Sequence, residues 1–465
     1  MQHTDDDLLL DPIRRFLDEQ CPLAVLRGAA RLHGQASGDV GSSGGKRNSH
    51  FRQHAAGRHA ESGRTVYPRL WERICELGWP MLLVSEDREG IGMGMAQATR
   101  VMELAGRALL PLPLGYWINS IAFLNELDAE SPITISMQEC LQEGRLAGFV
   151  LEDKVSRNFV PYCLHEAPFL KLSFSDGKVK VQLTRVSGRD GGDIGGAEGT
   201  TGGVKGGIKG GAAAGGRAGD NSVAAQDMEK IASGAGPQAT RGATGIDPLI
   251  DSAWLGDPEW QMQDTLHCDL AAWEAYGHRF RLLLAAELLG VAGRALELAT
   301  AYAQERQQFG RPIGSFQAIK HRLAQDWMNL DNARLLIAEA AQAMDARLAD
   351  NTGEPGDSSV AEVAMSARSF AVRDEQACTE TEGTTQAVQS ALAVTLAEHV
   401  TQRAADSAVR NALQVHGAMG MTWECDAHFY LKRVHFLNAM LNLERRDADR
   451  LQEIWQFSEA RMATY

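Results

Sequence analysis

Apolar residues recur at helical spacing over most of this chain, and the places where that spacing fails divide it into pieces. "RFRLLLAAELLGVAGRALELATAYAQERQQFG" is apolar on nearly every face and predicts a central, buried helix. "FQAIKHRLAQDWMNLDNARLLIAEAAQAMDARL" predicts a second long helix, with Trp327 in its core face. "VQSALAVTLAEHVTQRAADSAVRNALQVHG" predicts a third, ended by Gly417, and "DAHFYLKRVHFLNAMLNLERRDADRLQEIWQF" a last one. Trp423, just before it, also reads as core. Nearer the start, "YPRLWERICELGW" and "GIGMGMAQATRVMELAGRALL" predict helix, loop, helix over 65–125. The glycines between them form no G-x-G-x-x-G after a strand, so they read as a turn before a helix. Over 145–187 the period drops to two. "FLKLSFSDGKVKVQLTRV" alternates on both sides of Ser-Asp-Gly, which predicts a hairpin.

Polar, Gly-rich stretches interrupt these elements. "HGQASGDVGSSGGKRNSH" and its continuation cover about 33–64, "SGRDGGDIGGAEGTTGGVKGG" opens 188–257, and "NTGEPGDSSV" opens about 350–385. Such compositions bury too little apolar surface to offset chain entropy, so flexible insertions are expected. The expected fold is mainly α. It has an N-terminal helical domain over 1–130, a small, degenerate β section over 131–187, the Gly-rich insertion over 188–257, and a C-terminal four-helix bundle over 258–465.

The formal charge of −14 and the pI near 5.4 exclude nucleic acid as the main partner, because phosphate-backbone binding needs a concentrated basic surface. Local arginine sites for a phosphorylated small molecule stay open. The seven cysteines are scattered without a C-x-x-C pair, which points to reduced thiols rather than a disulfide frame or a metal site. The N-terminus is acidic and amphipathic, unlike a secretion signal. No apolar run reaches the roughly 20 residues of a membrane span. A cytoplasmic location is expected.

One stretch needs a different explanation. "ERQQFGRPIGSFQAIKHR", from Glu305, sets an arginine, a tight turn and a glutamine inside a helical pattern. The longer motif "YAQERQQFGRPIGSFQAIKHRLAQDW" (302–327) and a second, "ALQVHGAMGMTWECDAHFYLKR" (412–433), resemble the acyl-CoA dehydrogenase family in content, order and separation. "LWERICELGWPMLLVSEDREGIGMGMAQATRVMELAGRALLPLPL" (70–114) is similar to that family's N-terminal helical domain, less strongly. Within the family the chain looks most like the bacterial branch used on bulky acyl-CoA thioesters, including sterol side chains.

The resemblance implies FAD as cofactor and an acyl-CoA as substrate. It also implies a homo- or hetero-oligomer with FAD at subunit interfaces, and an electron-transfer acceptor. By resemblance Arg306 pairs with the FAD pyrophosphate, for which a guanidinium offers fixed donors. Phe309 lies near the adenosine part and Gln317 also contacts FAD. Gln414, Val415, His416, Gly417 and Ala418 match a loop, usually Gln-x-x-Gly-Gly, that approaches the adenine end. Ala418 stands where the second glycine usually is. The residues alone have plainer readings: Arg306 as a helix C-terminal cation, Gln317 as a surface amide, Gly417 as a cap and His416 as a loop residue.

Family members remove the proton α to the thioester with a carboxylate while the β hydrogen leaves as hydride to flavin. The base is missing at both positions where the resemblance puts it, near Leu441 and near Phe280. Glu287 and Glu424 are the nearby carboxylates. They read equally as a buried structural acid and a helix N-terminal acid, so the catalytic residue stays unassigned. The resemblance implies FAD-dependent α,β-dehydrogenation of an acyl-CoA thioester, or, given the reduced middle section and the missing base, a subunit that completes the FAD site of such an enzyme; the alternative is a non-catalytic structural partner of a homologous acyl-CoA dehydrogenase.

Overall fold

The computed structural model describes residues 5–23, 26, 69–150, 159–162, 169–184, 247, 249–250, 253–254, 261–352 and 378–442. The stretches expected as insertions lie largely outside these residues, as does the chain beyond 442.

The first helix, α1 (Asp5–Gln20), buries Leu10, Ile13 and Leu17, one stripe at helical spacing. Helix α2 (69–76) buries Trp71 and Ile74. Then follow α3 (Met95–Arg107), α4 (Leu114–Asp128) and α5 (Pro132–Gln142). Every residue of α4 from Leu114 to Asn125 is buried, so this helix is interior. Helix α5 begins inside the section read from sequence as β. It is started by Ser131, whose hydroxyl accepts from Ile133 N, and by a proline at the first turn.

The β section is a sheet of four strands in the order β1-β3-β4-β6. Its members are β1 (Gly148–Phe149), β3 (Phe169–Ser175), β4 (Lys178–Thr184) and β6 (Gln261–His267). Two short strands, β2 (Phe159–Val160) and β5 (Ala253–Trp254), pair separately. The β3–β4 hairpin turns at Asp176-Gly177, both left-handed, as a two-residue hairpin turn requires. Strand β6 corrects the sequence reading, which placed 261–267 with the bundle. "QMQDTLH" shows no alternation of its own; it pairs along β4, with Leu266 opposite Val179.

The bundle consists of α6 (Leu270–Glu305), α7 (Gln317–Thr352), α8 (Cys378–His416) and α9 (Ala427–Asn442). Asp269 caps α6 by accepting from Ala272 N at 2.6 Å. As its apolar circumference demands, α6 is central and packs on α3, α7, α8 and α9. It crosses α3 at two glycines. A Cβ on Gly106 would sit 2.0 Å from the Glu287 carbonyl oxygen, and one on Gly290 would sit 1.9 Å from that of Glu103. Asp345 of α7 reaches the start of α3, where Met95 N and Ala96 N donate to its carboxylate at 2.6 and 3.0 Å.

The tryptophans at 327 and 423 are not core: they are 60% and 40% exposed. Helix α7 packs along one side only, and Trp327 falls on its outer face. Trp423 lies in the turn before α9, against His428 and Phe429, with the Lys432 ammonium over its ring.

Candidate functional site

The two motifs meet at one end of the bundle. Helices α6 and α8 finish there, at Glu305 and His416, and α7 and α9 begin there, at Gln317 and Ala427. Asp326, buried on α7, fixes the level of α7 against α8 by accepting from Ser407 Oγ and Asn411 Nδ2, both at 2.7 Å.

Arg306 is the C-cap of α6. Its backbone N–H closes the helix onto Tyr302 O at 2.9 Å, and its side chain is exposed with no partner among the described residues. Beyond it the chain makes a small hairpin, β7 (Gln307–Gln308) with β8 (Arg311–Pro312). Phe309 and Gly310 form its tip with φ of 54° and 77°, the left-handed pair of a tight hairpin turn. A phenylalanine in this conformation is strained, and the ring is 92% exposed. Phe316 braces the tip: it meets Phe309 edge-on at 6.1 Å and lies 4.2 Å under the Arg311 guanidinium. Ile313 N donates to Arg306 O, closing the base of the hairpin, and Gln317 follows as the exposed first residue of α7.

The second motif lies alongside. Gly417 (φ 64°) ends α8, and a short turn over Gly417–Met421 leads away. Gln414, Gly417 and Ala418 are exposed; Val415 and His416 are half-buried. A Cβ on Gly417 or Gly310 would meet nothing within 4 Å, so both stand beside open space. His416 stacks on Tyr302 of the first motif, centroids 4.5 Å apart and planes 23° apart. A hollow of about 220 Å³ opens below, lined by Leu298, Tyr302, His416, Met419, Glu424, Cys425, Asp426 and Ala427.

All eight residues singled out from sequence therefore stand at this end. The donor set fits a dinucleotide cofactor. It offers an exposed guanidinium, an exposed amide at the N-terminus of a 36-residue helix, a projecting aromatic ring and two glycines that let a ligand approach the backbone.

The positions and carboxylates considered for the base are spread over the bundle. Phe280 is a packed aromatic, 4.6 Å edge-on from Tyr116 in a cluster with Phe149 and Tyr162, and Leu441 is buried. Glu424 is exposed in the turn before α9, at the motif end. Glu287 is buried and accepts from Arg433 Nη1 at 3.1 Å. Burial raises its carboxyl to about 7, against the opposing pull of Arg433. Arg433 is the residue the sequence reading overlooked. Wholly buried, it donates to Asp247, to Glu287, and to the carbonyls of Leu110 (3.0 Å) and Leu109 (3.3 Å) just past the end of α3. Burial works against its charge, but Asp247, Tyr162 and Glu287 outweigh that and hold its pKa up. One guanidinium thus joins α9, α6, the end of α3 and the segment at 247.

Comparison with known proteins points to one family. Residues 48–129 match the family model "Acyl-CoA dehydrogenase, N-terminal domain", and 278–383 match "Acyl-CoA dehydrogenase, C-terminal domain". Acyl-CoA dehydrogenase IpdE2 of Mycobacterium tuberculosis is 26% identical over 399 residues, 85% of this chain and 89% of the relative. Acyl-CoA dehydrogenase FadE34 of the same organism is 35% identical over 159 residues, 34% of this chain and 17% of the relative. Among solved structures, a variant of the Tcur3481-Tcur3483 steroid ACAD aligns with a TM-score of 0.53 at 18% identity, over 96% of this chain and 99% of that one. The ChsE4-ChsE5 complex from Mycobacterium tuberculosis aligns with a TM-score of 0.53 at 16% identity, over 92% and 96%. Among the described residues no helix is long and apolar enough to cross a membrane.

Proposed function

Because this chain belongs to the acyl-CoA dehydrogenase family, we propose that it is the cofactor-completing subunit of an oligomeric, FAD-dependent enzyme that introduces an α,β double bond into an acyl-CoA thioester. The observation that carries this reading is a separation. Arg306 stands at one end of α6 and Phe280 lies 26 residues back along the chain, roughly 39 Å at the helical rise. Leu441 lies 14 residues along α9 from Ala427, roughly 21 Å from the same end. The exposed cofactor-type residues and the positions where relatives carry the base thus belong to separate places. The first is equipped for a ligand and the second is packed with aromatic and aliphatic side chains.

Bound FAD would supply the acceptor for the hydride that leaves the substrate β-carbon. In this reading Arg306 binds the pyrophosphate and Phe309 covers the adenosine. Gln317 donates to the cofactor, and the loop 414–418 takes the adenine end, with Ala418 narrowing the approach by one methyl group. The α-proton is removed by a carboxylate of a homologous partner. The two-component Tcur3481-Tcur3483 and ChsE4-ChsE5 neighbours support an assembly with a second chain. That the Tcur3481-Tcur3483 neighbour is a steroid ACAD supports a bulky acyl group. An electron-transfer acceptor and a cytoplasmic location complete the proposal.

A second reading, a purely structural partner, draws on the Tyr116–Phe280 packing, which leaves no carboxylate at that position. An absorbance spectrum of the purified chain, alone and mixed with a full-length homologue, separates the two. Flavin bands that grow on mixing and weaken with Arg306→Ala support the first reading. Flavin content indifferent to this chain supports the second.

A further inference from the structure

We propose that Tyr302 is a positioning residue that sets the spacing between the two halves of the cofactor site. This rests on the reading that residues 306–317 and 414–418 bind FAD. Tyr302 touches both halves. Its backbone oxygen accepts from Arg306 N at 2.9 Å, so it holds the guanidinium-bearing residue at the last turn of α6. Its ring lies against the His416 imidazole, 4.5 Å between centroids and 23° between planes. His416 is itself oriented: Nδ1 bonds Ala412 O at 2.7 Å, one turn back in α8. The stack therefore joins a ring fixed to α8 with a ring fixed to α6.

The loop that follows has little else on that side. Gly417, Ala418 and Met419 are exposed, and the hollow beneath the stack opens between α6 and the turn at Glu424–Ala427. Toward α8 the loop is seated by Gly420, whose added Cβ would lie 3.0 Å from Leu413 O. Toward α6 it is seated by the stack. Remove the Tyr302 ring and the loop keeps its hold on α8 but loses its registration against Arg306. A cofactor spanning both halves then binds a site whose spacing fluctuates, and the ordering cost appears in its affinity.

The test is the FAD dissociation constant of the assembly containing the full chain, measured by quenching of flavin fluorescence, beside the thermal midpoint without added FAD. An aromatic pair contributes enough for Tyr302→Leu to weaken FAD by roughly three- to tenfold. Tyr302→Phe keeps the ring and should restore the affinity. His416→Ala should match Tyr302→Leu, and the double variant should be no weaker than the weaker single one, because both remove one contact. Should Tyr302→Leu not fold, His416→Ala against His416→Phe, which keeps a ring, decides the matter. Unchanged affinity in Tyr302→Leu or His416→Ala, or effects that add in the double variant, overturns the clamp. If Arg306→Ala also leaves affinity unchanged, or the wild-type assembly binds no FAD, the cofactor reading falls and this proposal with it.

Discussion

Glu287 on α6 and Arg433 on α9 share a 3.1 Å hydrogen bond inside the bundle, with both side chains buried. The pair closes a network through Asp247 and the carbonyls of Leu109 and Leu110, so this carboxylate is engaged by an arginine inside the bundle. A base must reach substrate; this carboxylate reaches an arginine.

The pair has a pH signature. Burial raises the Glu287 carboxyl from its ordinary 4.5 to about 7, so the folded state binds this proton more tightly than the unfolded one. The resulting stabilisation is full below about 4.5 and is lost as pH rises through 7, on the order of 1–3 kcal/mol. Glu287→Gln has no such proton. Urea unfolding between pH 5 and 8 should show wild type losing stability relative to the variant as pH rises. Parallel curves would show that the carboxyl stays ionised throughout.

The crossing of α3 and α6 depends on Gly106 and Gly290, since a Cβ at either would lie within about 2 Å of a backbone oxygen. Gly290→Ala and Gly106→Ala should each cost about 1–3 kcal/mol, because backbone must move. Gly293→Ala is the control: its Cβ would meet only Arg107 Nη1 at 3.7 Å, and helix propensity favours alanine there by up to about 1 kcal/mol. Denaturant midpoints rank the three; equal midpoints for Gly290→Ala and Gly293→Ala would contradict the close crossing.

Asp345 serves as a cap supplied from a distant helix. Asp345→Ala leaves Met95 N and Ala96 N without an acceptor and should cost about 1–2 kcal/mol. Hydrogen exchange of these two amides reports the loss directly. Protection equal to wild type would mean that another group caps α3.

Much of this was legible in the sequence, and the rest was hidden for definite reasons. The circumference of α6 announced its burial, and Ser-Asp-Gly announced the β3–β4 turn. The Phe-Gly turn flanked by Arg306 and Gln317 marked one half of the candidate site, because those three features are local in sequence; that the segment 414–418 stands beside it follows from the fold. Strand β6 was not legible: "QMQDTLH" carries no alternation of its own, and its partner β4 lies beyond the Gly-rich stretch. Nor was the role of Arg433, whose partners at 109, 110, 247 and 287 are brought together only by folding. Helix α5 could have been found from Ser131-Pro132, a cap followed by proline. Trp327 misled because size suggests burial, whereas α7 leaves one face outside.

With Glu287 engaged and Phe280 and Leu441 apolar, the chain alone should dehydrogenate acyl-CoA slowly or not at all. Loss of a general base costs on the order of 100- to 10,000-fold. Turnover with an artificial electron acceptor, across short, long and sterol-type acyl-CoA, is the measurement. Rapid turnover abolished by Glu287→Gln or Glu424→Gln would identify a working base in this chain.

The most direct test of the cofactor role compares flavin retained by two arginine variants in the assembled protein. Arg306 caps α6 beside the exposed hairpin, while Arg322 is an exposed residue of α7 outside the site. Flavin per assembly, read from its absorbance after gel filtration, should fall sharply in Arg306→Ala and stay at the wild-type level in Arg322→Ala. Equal flavin in the two variants would contradict the assignment of this end of the bundle to FAD.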